Sequence, residues 1–181
     1  MQTRKIISLF SIVFITLIFS NIVKAQSGAI TKTDSAKTER PENIYAEAGS
    51  AGLFFSLNYD TRFSNQRDGL GGRIGIGTWS SGGSTFVTAP LQLNYLLGAK
   101  SNFLELGAGA TLLTTSGNYY GNPLLGGHFF HLGNTVLPTT TIGYRHQPTH
   151  NGINFGISFN PMLLEGTFVP YFGGSLGYTF R

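Results

Sequence analysis

From Ile44 onward the chain alternates apolar and polar or small residues with period two, the spacing of strands whose two faces meet different surroundings. The last stretch shows it over its whole length. In Phe168 to Phe180, the even positions carry Phe168, Pro170, Phe172, Gly174, Leu176, Tyr178 and Phe180, and the odd positions carry Val169, Tyr171, Gly173, Ser175, Gly177 and Thr179. Thr85 to Leu97 sets Val87, Ala89, Leu91, Leu93, Tyr95 and Leu97 against Thr88, Gln92 and Asn94, and Phe103 to Thr115 sets Leu104, Leu106, Ala108, Ala110 and Leu112 against Glu105, Gly107, Gly109 and Thr111. Residues 70 to 80 place Ile74, Ile76 and Thr78 opposite Arg73, Gly75 and Gly77, with Trp79 near the end, where an indole would meet a headgroup zone. Val136 to His146 and the run of Ile153, Phe155, Ile157 and Phe159 complete the clear strands.

The first region, Ile44 to Phe63, is longer and less regular. Its second half alternates well, Leu53, Phe55, Leu57, Tyr59 and Phe63 against Ser56, Asn58, Asp60 and Arg62. In its first half Glu47 shares the parity of Leu53, and Gly49-Ser50-Ala51-Gly52 offers a bulge or bend that resets the faces. Counted this way there are seven strands. A single-chain bacterial barrel has an even number, so eight are expected, the missing one lying either in Ile44–Phe63 or in Asn118–Leu132. The expected fold is therefore all-β, a small antiparallel transmembrane β-barrel of eight strands, with the greasy faces turned to lipid. The competing arrangement, a soluble lipocalin-like barrel, would bury those faces and put Ser56, Asn58, Asp60, Arg62, Gln92, Asn94, Glu105, Asn154 and Asn160 on a surface poor in Lys. With the C-terminus in the periplasm, Glu165–Thr167 and Ser116–Asn134 lie outside and the links around Gly98–Asn102 and Gln147–Gly152 inside. Residues 116 to 134 then form the expected extracellular loop, or else continue their flanking strands beyond the membrane.

Composition changes the picture at the N-terminus. Arg4 and Lys5 precede a nearly continuous apolar run from Ile6 to Phe19, and Val23, Lys24 and Ala25 supply small residues before Gln26. This reads as a cleaved signal peptide over residues 1–25, the run being too short for the ~20 residues of a spanning helix. Residues 26–43 read as a polar, flexible tail, leaving 44–181 as the barrel domain. The whole chain has 12 Lys and Arg against 8 Asp and Glu; without the signal the balance is nine against eight, so the basic character gives no reason to expect nucleic acid. Only 11% of residues are charged, 25 are Gly, and there are 15 Phe, 8 Tyr and one Trp, which suits a membrane barrel better than a soluble sandwich. With no Cys, neither a disulfide nor a lipidated cysteine is available.

The candidate chemistry is sparse. Asp60, Arg62, Arg73, Glu105 and Arg145 fall on the inward parity, where a narrow, poorly solvated lumen requires them to pair. They form either a polar conduit or ligand site, or a plug that rigidifies the interior. Apolar inward positions, such as Phe54 and Met162, look scattered. His128 and His131 are spaced i, i+3, so in an extended loop they point to opposite sides; with His146 and His150 further on and no acidic cluster, they predict no metal site. Nothing orients Ser, His and a carboxylate together, and there is no phosphate loop or dinucleotide fingerprint, so neither catalytic residues nor a cofactor are expected. A scaffold that presents loops ranks first, a narrow pore or small-ligand transport barrel second, and a lipid-modifying enzyme last.

GLFFSLNYDTRF, RIGIG, PLQLNYLLG, NFLELGAGAT, TIGYRHQP, NFGISFNP and PYFGGSLGYTF, in that order, resemble a family of small outer-membrane barrel proteins common in the Bacteroidetes group of bacteria. The resemblance covers most of Ile44 to Phe180 and implies a fold and an address, with no activity to carry over. An outer-membrane barrel meets outer-membrane lipids, and the barrel-assembly machinery would read Tyr178 and Phe180 even though Arg181 follows them. Only a single chain is needed to close the barrel, so a monomer is expected.

Overall fold

A computed structural model describes residues 40–81, 83–116, 134–164 and 167–181. The expected signal peptide, most of the tail, His128, His131 and the Asn118–Leu132 region lie outside them. Eight strands follow in order: β1 (Glu42–Gly49), β2 (Phe55–Arg62), β3 (Gly69–Ser81), β4 (Ser84–Ala99), β5 (Asn102–Ser116), β6 (Thr135–His146), β7 (Gly152–Leu164) and β8 (Thr167–Phe180). Each pairs antiparallel with the next, and β1 pairs with β8 to close the barrel.

The eighth strand comes from the Ile44–Phe63 region, which is two strands and not one. The Gly49–Gly52 run is neither a bulge nor a bend within a strand but the reversal between β1 and β2, a 3₁₀ turn over Ser50–Gly52. β1 also starts two residues before the boundary drawn at Ile44, so Asn43 already belongs to the wall. Register carries the parity through: Glu47 lies opposite Ser56 and Ile44 opposite Tyr59, so Glu47 faces inward.

The faces decide between the two barrel types. Phe55, Leu57, Ile74, Ile76, Leu91, Leu93, Val136, Ile153, Ile157, Phe172 and Leu176 are all more than half exposed. Ser56, Asn58, Asp60, Arg62, Gln92, Asn94, Glu105, Asn154 and Asn160 are all buried. A wall apolar outside and polar inside is stable only where the outside is hydrocarbon, and closure leaves no open edge along the β1–β8 seam. This is a transmembrane β-barrel. β8 shows the predicted alternation, with Phe172, Leu176, Tyr178 and Phe180 out and Thr179 in.

The wall is not uniform. β1 and β2 have 8 residues each, whereas β3 to β8 have 12 to 16. Above the β1–β2 turn, at the end away from both barrel termini, the wall therefore consists of six strands. Between β6 and β7 the ladder runs only from His146↔Phe155 to Ile142↔Phe159. Beyond it Asn160 takes over, its amide donating to the Thr140 carbonyl at 2.9 Å and to Thr141 Oγ1 at 2.8 Å.

Candidate functional site

The lumen is filled in layers. Nearest the termini, Asn43 Oδ1 accepts from Thr179 Oγ1 at 2.6 Å and from Asn154 Nδ2 at 3.2 Å, and the Asn43 amide donates to Gln147 at 3.4 Å. The next layer holds four of the five predicted charges. The Asp60 carboxylate accepts from Arg62 at 2.8 and 2.9 Å, from Arg145 at 2.8 Å and from Asn94 at 2.5 Å. Arg145 also reaches Glu105 with two bonds, at 2.9 and 2.6 Å, and Asn94 donates to Glu105 at 3.0 Å. Arg62 also donates to the Gly69 carbonyl and to Asn94 Oδ1.

Arg73, the fifth predicted residue, is not in this cluster. It pairs with Glu47, a partner the sequence reading left unassigned because the β1–β2 turn breaks the parity between Glu47 and Leu53. Tyr45 spans the two groups, with the Arg73 and Arg145 guanidinium carbons 5.8 and 5.5 Å from its ring centroid. Among the described residues the buried charged ones are then Glu47, Asp60 and Glu105 against Arg62, Arg73 and Arg145, three of each sign. A neutral, mutually bonded set is the arrangement that a low-dielectric lumen tolerates. Each of these six charges has an ion-pair partner within the set.

Above the charges the β1–β2 turn folds into the barrel and closes it. Ser50, Ala51 and Gly52 are fully buried. Thr88 Oγ1 donates to the Gly52 carbonyl at 2.9 Å, Thr111 Oγ1 to the Ala51 carbonyl at 2.6 Å and Ser158 Oγ to Ser50 Oγ at 3.0 Å, while the Tyr171 hydroxyl donates to the Leu53 carbonyl. The turn is thus tied to β4, β5, β7 and β8. Gly49, at φ 77°, adopts a backbone that disfavours side chains, and a Cβ on Gly173 would come within 2.8 Å of Ser50 Cα. Leu53 has φ 70° and ψ −54°, and Phe54 N–H donates to the Gly52 carbonyl at 2.9 Å, which is a γ-turn of the strained kind.

Over the turn lies an apolar cap of Leu53, Phe54, Phe86, Leu113, Leu137, Met162, Val169 and Tyr171. The inward apolar positions are therefore not scattered. Phe54 and Met162 converge with six others contributed by four strands and the turn. Trp79 packs here as well: its ring stacks on Phe54, centroids 6.1 Å apart and planes at 10°, and lies 5.6 Å from the ring of the outward Phe55.

At the opposite end Arg67 ties three turns together, donating to the carbonyls of Lys100, Gln147 (2.6 Å) and Pro148 (2.7 Å). Arg181, the residue after the terminal aromatic, donates to the same Pro148 carbonyl at 3.1 Å. Partial burial pulls the Arg67 guanidinium below its usual value, and Arg181 nearby adds to the effect. His146 stacks on Phe155 at 4.8 Å, and His150 bonds only Thr149. Among the described residues no three His, Cys, Asp or Glu converge on a metal position.

Similarity to known proteins is confined to the fold. No protein-family model and no curated sequence matches the chain. Among solved structures, the N-terminal β-barrel domain of Pseudomonas aeruginosa OprF superimposes with a TM-score of 0.53 at 11% identity, over 80% of this chain and 98% of that one. The Yersinia pestis outer-membrane protein Ail is also similar, with a TM-score of 0.47 at 14% identity in a phospholipid bilayer nanodisc (78% and 100% of the two chains) and 0.45 at 15% identity in the crystal (78% and 99%). The chain has the eight-stranded fold of outer-membrane barrels.

Proposed function

We propose that the protein is a non-enzymatic, non-conducting scaffold barrel of the outer membrane of a Gram-negative bacterium. One observation carries this reading: a neutral, fully paired set of three carboxylates and three guanidiniums sits beneath a turn that folds into the lumen and is bonded to four strands. A pore needs a continuous wet path, and a catalyst needs a reactive group with an unspent valence. The described lumen supports neither. The outward belt then serves as anchor to outer-membrane lipids, the chain closes as a monomer, and the segment joining β5 to β6 is what the barrel holds outward. β8, with Tyr178 and Phe180 on its outer face, is the strand offered to the assembly machinery.

Two measurements test this. Purified protein in a planar lipid bilayer is expected to show no steady current; a stable conductance that persists when residues 117–133 are shortened would overturn the plugged reading. Electrophoresis of unboiled and boiled outer-membrane fractions is expected to show two mobilities. A β-rich protein released into the periplasm without detergent would overturn the membrane assignment.

A further inference from the structure

Strand length and the position of one proline point to a site that the scaffold reading does not use. β1 pairs with β8 only as far as Gly49↔Gly173 and with β2 only as far as Ala48↔Phe55. Outward of that level β8 continues through Phe172 to Thr167 with β7 on one side, and among the described residues it has no strand on the other. β3 likewise continues beyond Gly77 with β4 alone. Two strand positions are missing from the wall there, so at ~4.8 Å per strand the facing edges stand up to roughly 14 Å apart.

An open edge in hydrocarbon leaves backbone donors unpaired. Pro170 removes one of these donors. It lies directly opposite Pro161 in the β7–β8 ladder. Neither can donate, so they form a non-hydrogen-bonded pair whose backbone groups point away from each other. The Pro161 carbonyl does point away, toward β6, where it accepts from Thr140 Oγ1 at 3.1 Å. Pro170 therefore turns its nitrogen, with no N–H, toward the open edge, where proline is the residue that costs least.

The opening is not filled flush. A cleft of about 410 Å³ runs along it, lined by Ala48, Gly49, Leu53, Phe54, Phe55, Pro170, Tyr171 and Phe172. Phe55 and Phe172, 57% and 68% exposed, belong to the lipid-facing belt, whereas Leu53, Phe54 and Tyr171 belong to the buried cap. The wall grooves over Leu57, Ile76 and Val87 and over Ile74, Leu91 and Leu93 are lined chiefly by outward side chains. At the β8 edge an apolar surface passes from the belt to the interior cap. Its floor is the strained γ-turn at Leu53, the kind of conformation that is retained where a site requires it.

We propose that this cleft binds an acyl chain of an outer-leaflet lipid, entering sideways between β8 and the β1–β2 turn, with Phe55 and Phe172 at the mouth and Leu53, Phe54 and Tyr171 along the floor. The occupant follows from continuity: the cleft opens on the apolar belt, its lining offers shape and apolar contact with no charge, and its volume lies in the ordinary range of small-molecule sites. The proposal rests on the membrane reading of the barrel, but not on its being a scaffold.

The test uses the full-length protein reconstituted in vesicles of phosphatidylethanolamine and phosphatidylglycerol doped with a phospholipid whose acyl chain carries a diazirine. After irradiation, adducts are mapped by mass spectrometry. Expected are adducts on residues 48–55 and 170–172, including the buried Phe54 and Tyr171, at several-fold the yield on the equally apolar Leu91 and Leu93 of β4. Ala48→Phe, which places a ring in the cleft from an exposed wall position, is expected to remove the Phe54 and Tyr171 adducts and leave those on β4 unchanged. Adducts spread around the belt in proportion to exposure, with none on Phe54 or Tyr171, would overturn the cleft and leave the membrane barrel intact. No adducts on any strand would overturn the membrane reading itself. The wild-type map decides between these outcomes even if Ala48→Phe does not fold.

Discussion

The Glu47–Arg73 pair offers a quantitative test of the plugged lumen. Their side chains are 4% and 2% exposed, and among the described residues Glu47 is the one ion-pair partner of Arg73. Glu47→Gln leaves the buried guanidinium an amide carbonyl and the Tyr45 ring to face it in place of a carboxylate, and gives an interior that was neutral a net positive charge. Breaking a buried pair from one side costs about 3–5 kcal/mol. Arg73→Met strands the carboxylate instead, at a similar cost. In Glu47→Leu/Arg73→Met the charge balance returns, and the double variant should lie within about 1 kcal/mol of wild type, since well-packed apolar replacements of buried pairs are often neutral or stabilising. The coupling energy of the cycle, taken with Glu47→Leu and Arg73→Met as the single variants, should thus exceed about 3 kcal/mol, large even for contacting residues. Urea titration in lipid vesicles, followed by the fluorescence of Trp79, measures it; that residue is the chain's single tryptophan and packs on the cap directly above the pair. Single variants within about 0.5 kcal/mol of wild type, as exposed positions behave, or a double variant costing the sum of the two, would mean that water reaches the pair and that the lumen is not sealed.

Three further outcomes follow from the same geometry. Asp60→Asn removes the carboxylate on which Arg62, Arg145 and Asn94 converge; it should destabilise more than Glu47→Gln, by upwards of about 4 kcal/mol, seen as a lower urea midpoint and partial loss of the unboiled electrophoretic form. Gly173→Ala pushes a methyl against Ser50; a cost of about 1–3 kcal/mol is expected as the turn is displaced, with a red shift of Trp79 emission, and an unshifted spectrum would show that the turn does not hold the cap in place. Asn160→Leu removes the side chain that replaces the ladder between β6 and β7; the freed Thr140 carbonyl should cost about 1–3 kcal/mol, and hydrogen exchange should quicken in the outer halves of β6 and β7 while β4 and β5 stay protected.

Every face of the long strands is legible in the order of residues alone. Period two is a local property: once Leu91 faces out, Gln92 faces in, whatever pairs with them. The inversion of the usual rule, greasy outside and polar inside, was legible for the same reason, because Asp60, Arg62, Glu105 and Arg145 stand in phase with Asn and Gly and out of phase with Leu and Ile. Neutrality of the lumen was half legible. Five of its six charges were placed inward, and Glu47 was missed, because the period cannot be carried across a turn of unknown geometry.

The remaining features arise from contacts between distant parts of the chain. That Ile44–Phe63 is two short strands follows from the inward turn at Ser50–Gly52, whose positive φ values are held by hydrogen bonds from Thr88, Thr111 and Tyr171, residues 36 to 118 positions away. Phe54 reads as a scattered inward aromatic until closure brings β4, β5, β6, β7 and β8 around one axis and packs their apolar side chains with it into a cap. Which charge meets which is likewise a matter of register around the ring: Arg145 reaches Asp60 across 85 residues. Alternation along a strand is written in neighbouring residues; what a side chain touches across a lumen depends on how eight strands are staggered when they close, and no local pattern encodes that.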